Sequence, residues 1–243
     1  MPIGGAFDQT WATGGTYTHT LPSTGTMTGI LIQCWAGGGA GGAVSIAGKR
    51  AGGGGGGGCS VYSDTTYALG TTFTITVGNG GTFRAVNGEN SGCYDNNTST
   101  TICLSNGGGG VALNSGAKGQ AYVTGAIGTD KYYGGNGSNS GTTYSGGGGG
   151  GAGTKANGSD ASGVTGGAGG SNNGGTGGNG RSSVSQGAGN PGAVYGAGGG
   201  GAVDGTPSVG YNGGAGGNGA VRLAYTWDYN NSNNQMYNII SSF

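Results

Sequence analysis

The feature that most constrains this chain is its uninterrupted glycine. The sequence AGGGGGGGCS, at residues 51–60, places seven glycines in a row. Glycine loses more conformational freedom on folding than any other residue and has no side chain to bury. A run of this kind is either a flexible tether or an element held by backbone hydrogen bonds. With 70 glycines among 243 residues, the same choice applies to the other glycine-rich segments.

The composition argues against plain disorder. Only 7% of the residues are charged, whereas disordered chains are usually rich in charge and poor in aromatic residues. This chain contains 13 Tyr, 4 Phe and 3 Trp. Apolar residues make up 32% of the sequence, which is low for a globular domain and predicts a small side-chain core.

Charge and hydropathy limit the expected partners. Eight Lys and Arg balance eight Asp and Glu, and they are scattered singly apart from the adjacent Lys49 and Arg50. We expect no nucleic-acid partner and no membrane-surface partner, because so few charges cannot line a groove for phosphates or lipid headgroups. No stretch has the length and hydropathy of a membrane span, and the N-terminus lacks the pattern of a signal peptide. Membrane insertion and general secretory export are therefore not expected.

Strand patterns occur wherever glycine becomes less frequent. β-Branched and aromatic residues alternate with polar ones between clusters of Gly, Asn and Ser, which predicts half-buried antiparallel strands. The predicted strands are residues 16–21, 29–35, 59–63, 72–78 and 219–227. No segment shows helical periodicity with capping residues. The predicted fold is all-β, an antiparallel β-sandwich with a layered glycine-rich bundle and no significant helix.

The glycine runs themselves predict polyglycine II helices. Such a helix has the three-residue, left-handed extended geometry of polyproline II, but it keeps N–H groups that can bond laterally to neighbours. Collagen is excluded because glycine does not recur at every third position and the chain has only 4 Pro. Asn-Gly pairs between the runs suit chain reversals. We therefore predict that residues 52–58 and 146–151 are ordered.

The order of motifs along the chain resembles a known family. The segments YTHTLPSTGTMTGILIQCWAGGGAGG, LGTTFTITVGNGG and GGAGGNGAVRLAYTW are similar to the glycine-rich domain of bacteriophage tail-fibre and related receptor-recognising virion proteins. The resemblance covers about residues 14–227 and implies a polyglycine II sandwich that displays loops to a bacterial receptor. It divides the chain into an N-terminal arm (residues 1–13), a glycine-rich β domain (14–227) and a C-terminal assembly or docking segment (228–243).

This resemblance implies a function. The expected protein is a non-enzymatic structural component of a bacteriophage virion, a short fibre or fibre-tip adhesin that binds a host surface receptor. Its expected partners are further copies of itself in a homotrimer, other virion proteins, and a bacterial surface glycan or outer-membrane protein. It would be assembled in the host cytoplasm and released by lysis. The alternatives are a capsid-attached fibre or decoration protein, an ice-binding polyglycine II protein, and a depolymerase, which the sparse carboxylates and single histidine disfavour.

Two groups of residues are candidate contacts. Tyrosines in polar, glycine-rich sequence could stack on the C–H faces of sugars, or they could cap the glycine bundle. The receptor-contact candidates, with their charged neighbours, are Asp130, Lys131, Tyr132, Tyr133, Tyr144, Tyr195 and Tyr211. Apolar residues gathered near the C-terminus should seek burial on the domain or on a partner. These assembly candidates are Met236, Tyr237, Ile239, Ile240 and Phe243.

No catalytic, metal or cofactor site is predicted. His19 lies in a strand pattern with Tyr17 and Leu21, which favours a structural role over catalysis. The spacings of the four cysteines, Cys34, Cys59, Cys93 and Cys103, match no C-x-x-C metal or redox pattern. Cys93 and Cys103 could close the intervening segment as a disulfide loop, and free buried thiols are the alternative.

Overall fold

The computed structural model describes residues 3–122, 124–204 and 209–229. The described residues form nine β-strands and no helix. The strands are β1 (Ile3–Trp11), β2 (Gly15–Thr20), β3 (Thr26–Trp35), β4 (Cys59–Asp64), β5 (Thr72–Val77), β6 (Ser91–Asp95), β7 (Thr100–Ser105), β8 (Asp130–Tyr132) and β9 (Ala220–Tyr229). They build two antiparallel sheets, one in the order β1-β9-β3-β4-β8 and one in the order β2-β5-β6-β7. The all-β prediction is confirmed.

Alternation along the strands supplies a core that both sheets share. In β5, Phe73, Ile75 and Val77 are buried while the intervening threonines lie on the outer face. Ile32 of β3 and Leu223 of β9 bring side chains from the other sheet into the same cluster. Apolar burial of this kind is the main favourable contribution to the folding of a sheet pair.

Four strands were not predicted. β1 pairs with β9 along its full length, with Trp11 opposite Val221, and it lies in the segment predicted to be an N-terminal arm. Its sequence, IGGAFDQTW, contains a Gly-Gly pair and an Asp that obscure the alternation. β6 and β7 form a hairpin around a polar turn at residues 96–99. β6 and β8 are short, so period two has little length in which to show.

The seven-glycine run lies at the centre of a bundle and bonds to its neighbours with a period of three. Residues 51–58 are all buried. The N–H groups of residues 51, 54 and 57 donate to residues 202, 199 and 196; those of 52, 55 and 58 donate to 115, 109 and 106; those of 53 and 56 donate to 138 and 135. Each third residue thus faces the same neighbour. A strand would alternate with a period of two, whereas a polyproline II-like helix repeats every three residues.

Carbonyl groups of the same run accept hydrogen bonds from three further segments. Residues 36, 39 and 42 donate to residues 58, 55 and 52; residue 119 donates to residue 53; residues 146, 149 and 152 donate to residues 51, 54 and 57. The central run therefore has six neighbours, three that receive its N–H groups and three that donate to its carbonyls. Buried backbone groups require partners, and this arrangement supplies them without side chains.

The bundle has two distinct ends. At the sheet end, residue 36 continues β3 and residue 58 leads into β4. At the opposite end, the N–H of Ala51 donates to Ala202 and its carbonyl accepts from Gly146. Connections between runs emerge at this second end. We call them the distal loops: residues 44–50, 112–118, 139–145, 162–165, 181–188, 203–204 and 209–211.

Candidate functional site

The predicted receptor contacts at residues 130–133 lie beside the sheets. Asp130, Lys131 and Tyr132 form β8, which pairs with β4 at the edge of the five-stranded sheet. The first two are exposed, while Tyr132 packs against the small cluster around Trp35. The Tyr133 carbonyl accepts a hydrogen bond from the Gly158 N–H, 2.8 Å away. This segment is part of the framework at the sheet end of the bundle.

The other predicted tyrosines pack on the bundle. Tyr195 has a left-handed φ of 63° and sets its ring edge-on to Trp35, with ring centroids 5.2 Å apart. Tyr211 packs against the small cluster that contains Val44. Tyr144 is half-buried, and its ring lies against Gly141 and Gly163. All three rings thus pack against their own domain, Tyr144 on glycines and the other two on buried side chains.

The structure does not gather these residues into one surface. Tyr144 and Tyr211 lie among the distal loops, whereas Tyr195 lies at the sheet end, where the Gly57 N–H donates to the Gly196 carbonyl. Residues 130–133 also lie at the sheet end. The assembly candidates Met236, Tyr237, Ile239, Ile240 and Phe243 fall outside the described residues.

Apolar side chains exposed on the distal loops were missed by the sequence analysis. Val184 is 94% exposed, which is unusual for an aliphatic side chain. Other exposed aliphatic residues of the distal loops are Ile46, Leu113, Val164 and Val209. Val164, Val184 and Val209 stand alone in polar or glycine-rich sequence, and that isolation was the signal that could have marked them. Ile46 and Leu113 have aliphatic neighbours in the chain and carry no such signal. Together the five side chains give the distal surface apolar contact area.

Backbone pairing holds the distal loops to one another. Val44 and Tyr211 exchange two hydrogen bonds, of 2.9 and 2.8 Å. Val203 forms β-bridges with both Arg50 and Gly187. The buried Asp204 carboxylate accepts from the N–H groups of Val209 and Gly210. Loops that are far apart in sequence are therefore fixed relative to one another.

The sheets and the bundle correspond to one known family. The chain matches the glycine-rich domain family over residues 11–226. It belongs to this family. The match runs from the end of β1 into β9, so the family's domain contains the sheet core and the bundle with its distal loops. A search of curated proteins finds no match to the chain.

The single histidine of this glycine-rich domain lies in an aromatic cluster. His19 Nε2 is 3.1 Å from the Tyr225 hydroxyl, and its ring centroid is 4.3 Å from that of Phe7. Trp11 also contacts the ring. Burial lowers the pKa of His19, because desolvation disfavours the charged imidazolium. The cluster joins β1, β2 and β9 across the edge of the two sheets, which is the structural role predicted for His19.

Two tyrosine–carboxylate pairs lie near an open depression beside the sheets. The Tyr67 hydroxyl donates to Asp95 at 2.7 Å, and the Tyr62 hydroxyl donates to Asp64 at 3.1 Å. Burial raises the pKa of Asp95, but hydrogen bonds from Tyr67 and the Thr98 backbone outweigh it, so the pKa lies below its ordinary value. Burial and the nearby Asp95 raise the pKa of Tyr67. The carboxylate is held ionised and the phenol protonated, which suits a fixed structural contact.

The four cysteines of the glycine-rich domain are free and buried. Cys93 and Cys103 lie opposite each other in the β6–β7 hairpin, but they form no disulfide in this structure. Burial raises the pKa of both Cys59 and Cys93, so these thiols are held protonated and poorly nucleophilic. Of the two roles considered for Cys93 and Cys103, the structure shows free buried thiols.

In the three described ranges, no group of three or more His, Cys, Asp or Glu side chains is placed to hold a metal ion. The same ranges contain no helix that could cross a bilayer.

Proposed function

We propose that this glycine-rich domain is a non-enzymatic receptor-binding protein of a bacteriophage virion, a short fibre or fibre-tip adhesin. The observation that carries the proposal is the bundle, in which a central glycine run with six bonded neighbours supports several loops at one end. The sequence resemblance to tail-fibre proteins supplies the virion context. The surface that contacts the receptor is the set of distal loops.

Rigid presentation is the physical advantage of this arrangement. Ordering a loop on binding costs about 0.5–1.5 kcal/mol for each immobilised side chain, and preorganisation reduces that cost. The Val44–Tyr211 and Val203 pairings hold the distal loops before any ligand binds. Isolated apolar side chains such as Val184 then provide contact area on a fixed frame.

Assembly is the second part of the proposal. The protein works as a homotrimer attached to other virion proteins, with residues 234–243 as the assembly element. Deleting these ten residues should leave the β-sheet circular dichroism unchanged and abolish the oligomer measured by multi-angle light scattering. An unchanged oligomer would remove the segment from the proposal but would leave the receptor-binding role intact.

The experiment that tests receptor binding uses the full chain, fluorescently labelled, against a panel of bacterial strains. We expect saturable labelling of a subset of strains. Val184→Asp should weaken that labelling because it places a charge at the most exposed aliphatic position of the distal loops. Tyr94→Ser is the matched control, since Tyr94 is an exposed apolar residue on the four-stranded sheet, away from the distal loops.

Two results would overturn the proposal. One is the absence of saturable labelling on every strain, and the other is labelling by Val184→Asp as strong as that by the wild type while Tyr94→Ser loses it. Thermal hysteresis by the same preparation would favour the ice-binding alternative. Release of reducing sugar from strain polysaccharide would favour the depolymerase.

A further inference from the structure

The charged side chains of this neutral protein are distributed unequally between the two ends of the folded domain. All eight Lys and Arg and all eight Asp and Glu lie within the described residues. The distal loops carry four cations and one anion, a net charge of +3: Lys49, Arg50, Lys118, Arg181 and Asp204. The bundle wall carries one of each, Arg84 and Asp160. The sheets and the sheet end of the bundle carry three cations and six anions, a net charge of −3.

The distal cations are brought together by tertiary structure. Arg50 pairs through its backbone with Val203, and Val203 also bridges Gly187. Arg181 Nε donates to the carbonyl of Ala188, 2.8 Å away, so its guanidinium is fixed beside that same bridge. Two arginines from loops distant in sequence therefore flank one short backbone ladder. Lys49 precedes Arg50, and its carbonyl accepts from the Asp204 N–H at 3.1 Å.

These cations are available to a ligand. Among the described residues, Lys49, Arg50, Lys118 and Arg181 form no ion pair with a carboxylate, whereas Arg222 on the sheet is paired with Asp8 at 2.6 Å. Lys49 and Lys118 are exposed. The Arg50 Nε is buried and has no hydrogen-bond partner in the structure. Its Nη1 donates to the Gly48 carbonyl, 3.0 Å away, and a guanidinium has further N–H groups that can donate to an anion.

The one anion of the distal end is buried and hydrogen-bonded. Asp204 is 2% exposed, and its two carboxylate oxygens accept from the backbone N–H groups of Val209 and Gly210. Its negative charge faces the loop backbone. The outward potential of the distal surface is therefore set by the lysines and arginines.

We propose that the distal loops bind an anionic surface polysaccharide, a saccharide chain that bears carboxylate, phosphate or sulfate groups. This inference rests on the proposed receptor-binding function and specifies its ligand. Arg50 and Arg181 bind the acidic groups, Lys49 and Lys118 attract the chain from the rim, and the exposed aliphatic side chains contact the sugar C–H faces. Because the opposite end is negative, the field also turns the distal loops towards an anionic surface and the sheets away from it.

The test measures binding of the full chain to polygalacturonate, dextran sulfate and neutral dextran by biolayer interferometry. We expect binding to both acidic polymers and none to neutral dextran. Raising the salt concentration from about 50 to about 300 mM should weaken binding roughly tenfold, because screening shortens the reach of exposed charges. Binding to neutral dextran of equal strength, or binding that salt leaves unchanged, would overturn the proposal.

A pair of charge-matched variants locates the site. Lys49→Gln with Lys118→Gln should weaken binding to polygalacturonate about fivefold, the range expected for two rim charges. Lys131→Gln with Lys155→Gln removes the same net charge from two exposed lysines at the sheet end, and it should bind like the wild type. Equal loss in both double variants would show a non-specific charge effect and would overturn the proposal.

The same variants separate this inference from the proposed function. If strains are labelled by the wild type and equally by Lys49→Gln with Lys118→Gln, the protein is a receptor-binding protein whose ligand is not recognised by charge. The receptor-binding role would then stand and the anionic polysaccharide would not.

Discussion

The sheets and the glycine bundle exclude water in different ways. In the sheets, the buried interior consists of side chains such as Ile32, Phe73 and Leu223, and the hydrophobic effect stabilises it. In the bundle, the buried interior at residues 51–58 is nearly all backbone, held by lateral hydrogen bonds. A chain poor in apolar residues can therefore still form a dry core, provided that its backbone groups pair with one another.

Glycine is replaceable in one of the two regions and required in the other. A Cβ added to Gly29 in β3 would have the Thr226 hydroxyl oxygen as a neighbour at 3.6 Å, an ordinary contact distance. A Cβ added to Gly55 would overlap the Gln120 carbonyl, and one added to Gly148 would overlap the Gly198 carbonyl. Glycine is therefore required in the bundle by close backbone approach, and in β3 it is not.

The largest expected effect comes from filling that space. Gly55→Ala and Gly148→Val should each lower the free energy of unfolding by more than about 3 kcal/mol, because rigid backbone, rather than a movable side chain, opposes the new atoms. Gly29→Ala is the matched control and should change stability by less than about 1 kcal/mol. Urea denaturation of the three variants measures the difference. Wild-type stability in Gly55→Ala and Gly148→Val would show that the runs are tethers.

Removing side-chain volume should destabilise the sheets more than the bundle. Phe73→Ala in the sheet core should cost about 3–5 kcal/mol, because it removes a fully buried ring. Val44→Ala in the small cluster of the bundle should cost about 1.5 kcal/mol, since only two methyl groups are lost from a region stabilised mainly by its backbone. Chemical denaturation with a common slope measures both. Similar costs for the two variants would mean that the bundle depends on its side chains as the sheets do.

Mild acid should destabilise the protein through His19 in the sheets. Burial lowers the pKa of His19 in the folded protein, so the unfolded chain binds more protons in the window below the ordinary histidine value of about 6.5. Stability is therefore complete above that value and falls as the pH drops through the window. We expect a modest decrease in the melting temperature between about pH 7.5 and about pH 5.5. The pKa of Asp8, Asp64 and Asp95 is lowered, so these groups stay ionised there.

The matched control for this pH dependence is His19→Gln. Its melting temperature should change less between the two pH values, whatever its absolute stability. An identical slope in the wild type and the variant would assign the acid sensitivity to another group.

The smallest expected difference is in amide protection. The N–H groups of residues 52–58 are buried and bonded as regularly as those of β5, so both should exchange only by large-scale opening. Hydrogen exchange should give protection factors within about tenfold of each other for the two segments. Exchange of residues 52–58 at random-coil rates would show that the bundle lacks a backbone core in solution.

Sequence patterns predicted the long strands and missed the short or interrupted ones. The predicted strands at residues 16–21, 29–35, 59–63, 72–78 and 219–227 correspond to β2, β3, β4, β5 and β9, with ends that differ by up to three residues. β1 was missed because its Gly-Gly pair hides the alternation, and β8 because three residues show no period. Periodicity is visible only where side chains alternate over several residues.

The candidate surface was less predictable than the fold. Tyrosines stood out in the sequence, but Tyr195 and Tyr211 pack on the bundle. Val184, Lys118 and Arg181 did not stand out, since each is isolated in the chain, and Lys49 and Arg50 form only one adjacent pair. Their contribution to the surface depends on which loops meet at the distal end. That arrangement is set by hydrogen bonds between glycine runs, and the sequence does not show which runs pair.

The amino-acid sequence alone predicted the all-β class, the long strands and the requirement of the glycine runs for backbone hydrogen-bond partners. All three follow from local composition and periodicity. The register of each run against its six neighbours came only from tertiary structure, since a glycine bears no side chain that could specify one partner over another. The charge separation came from the same source. Lys49, Arg50, Lys118 and Arg181 are scattered in a chain of zero net charge, and they share one end because the folded bundle brings their loops there.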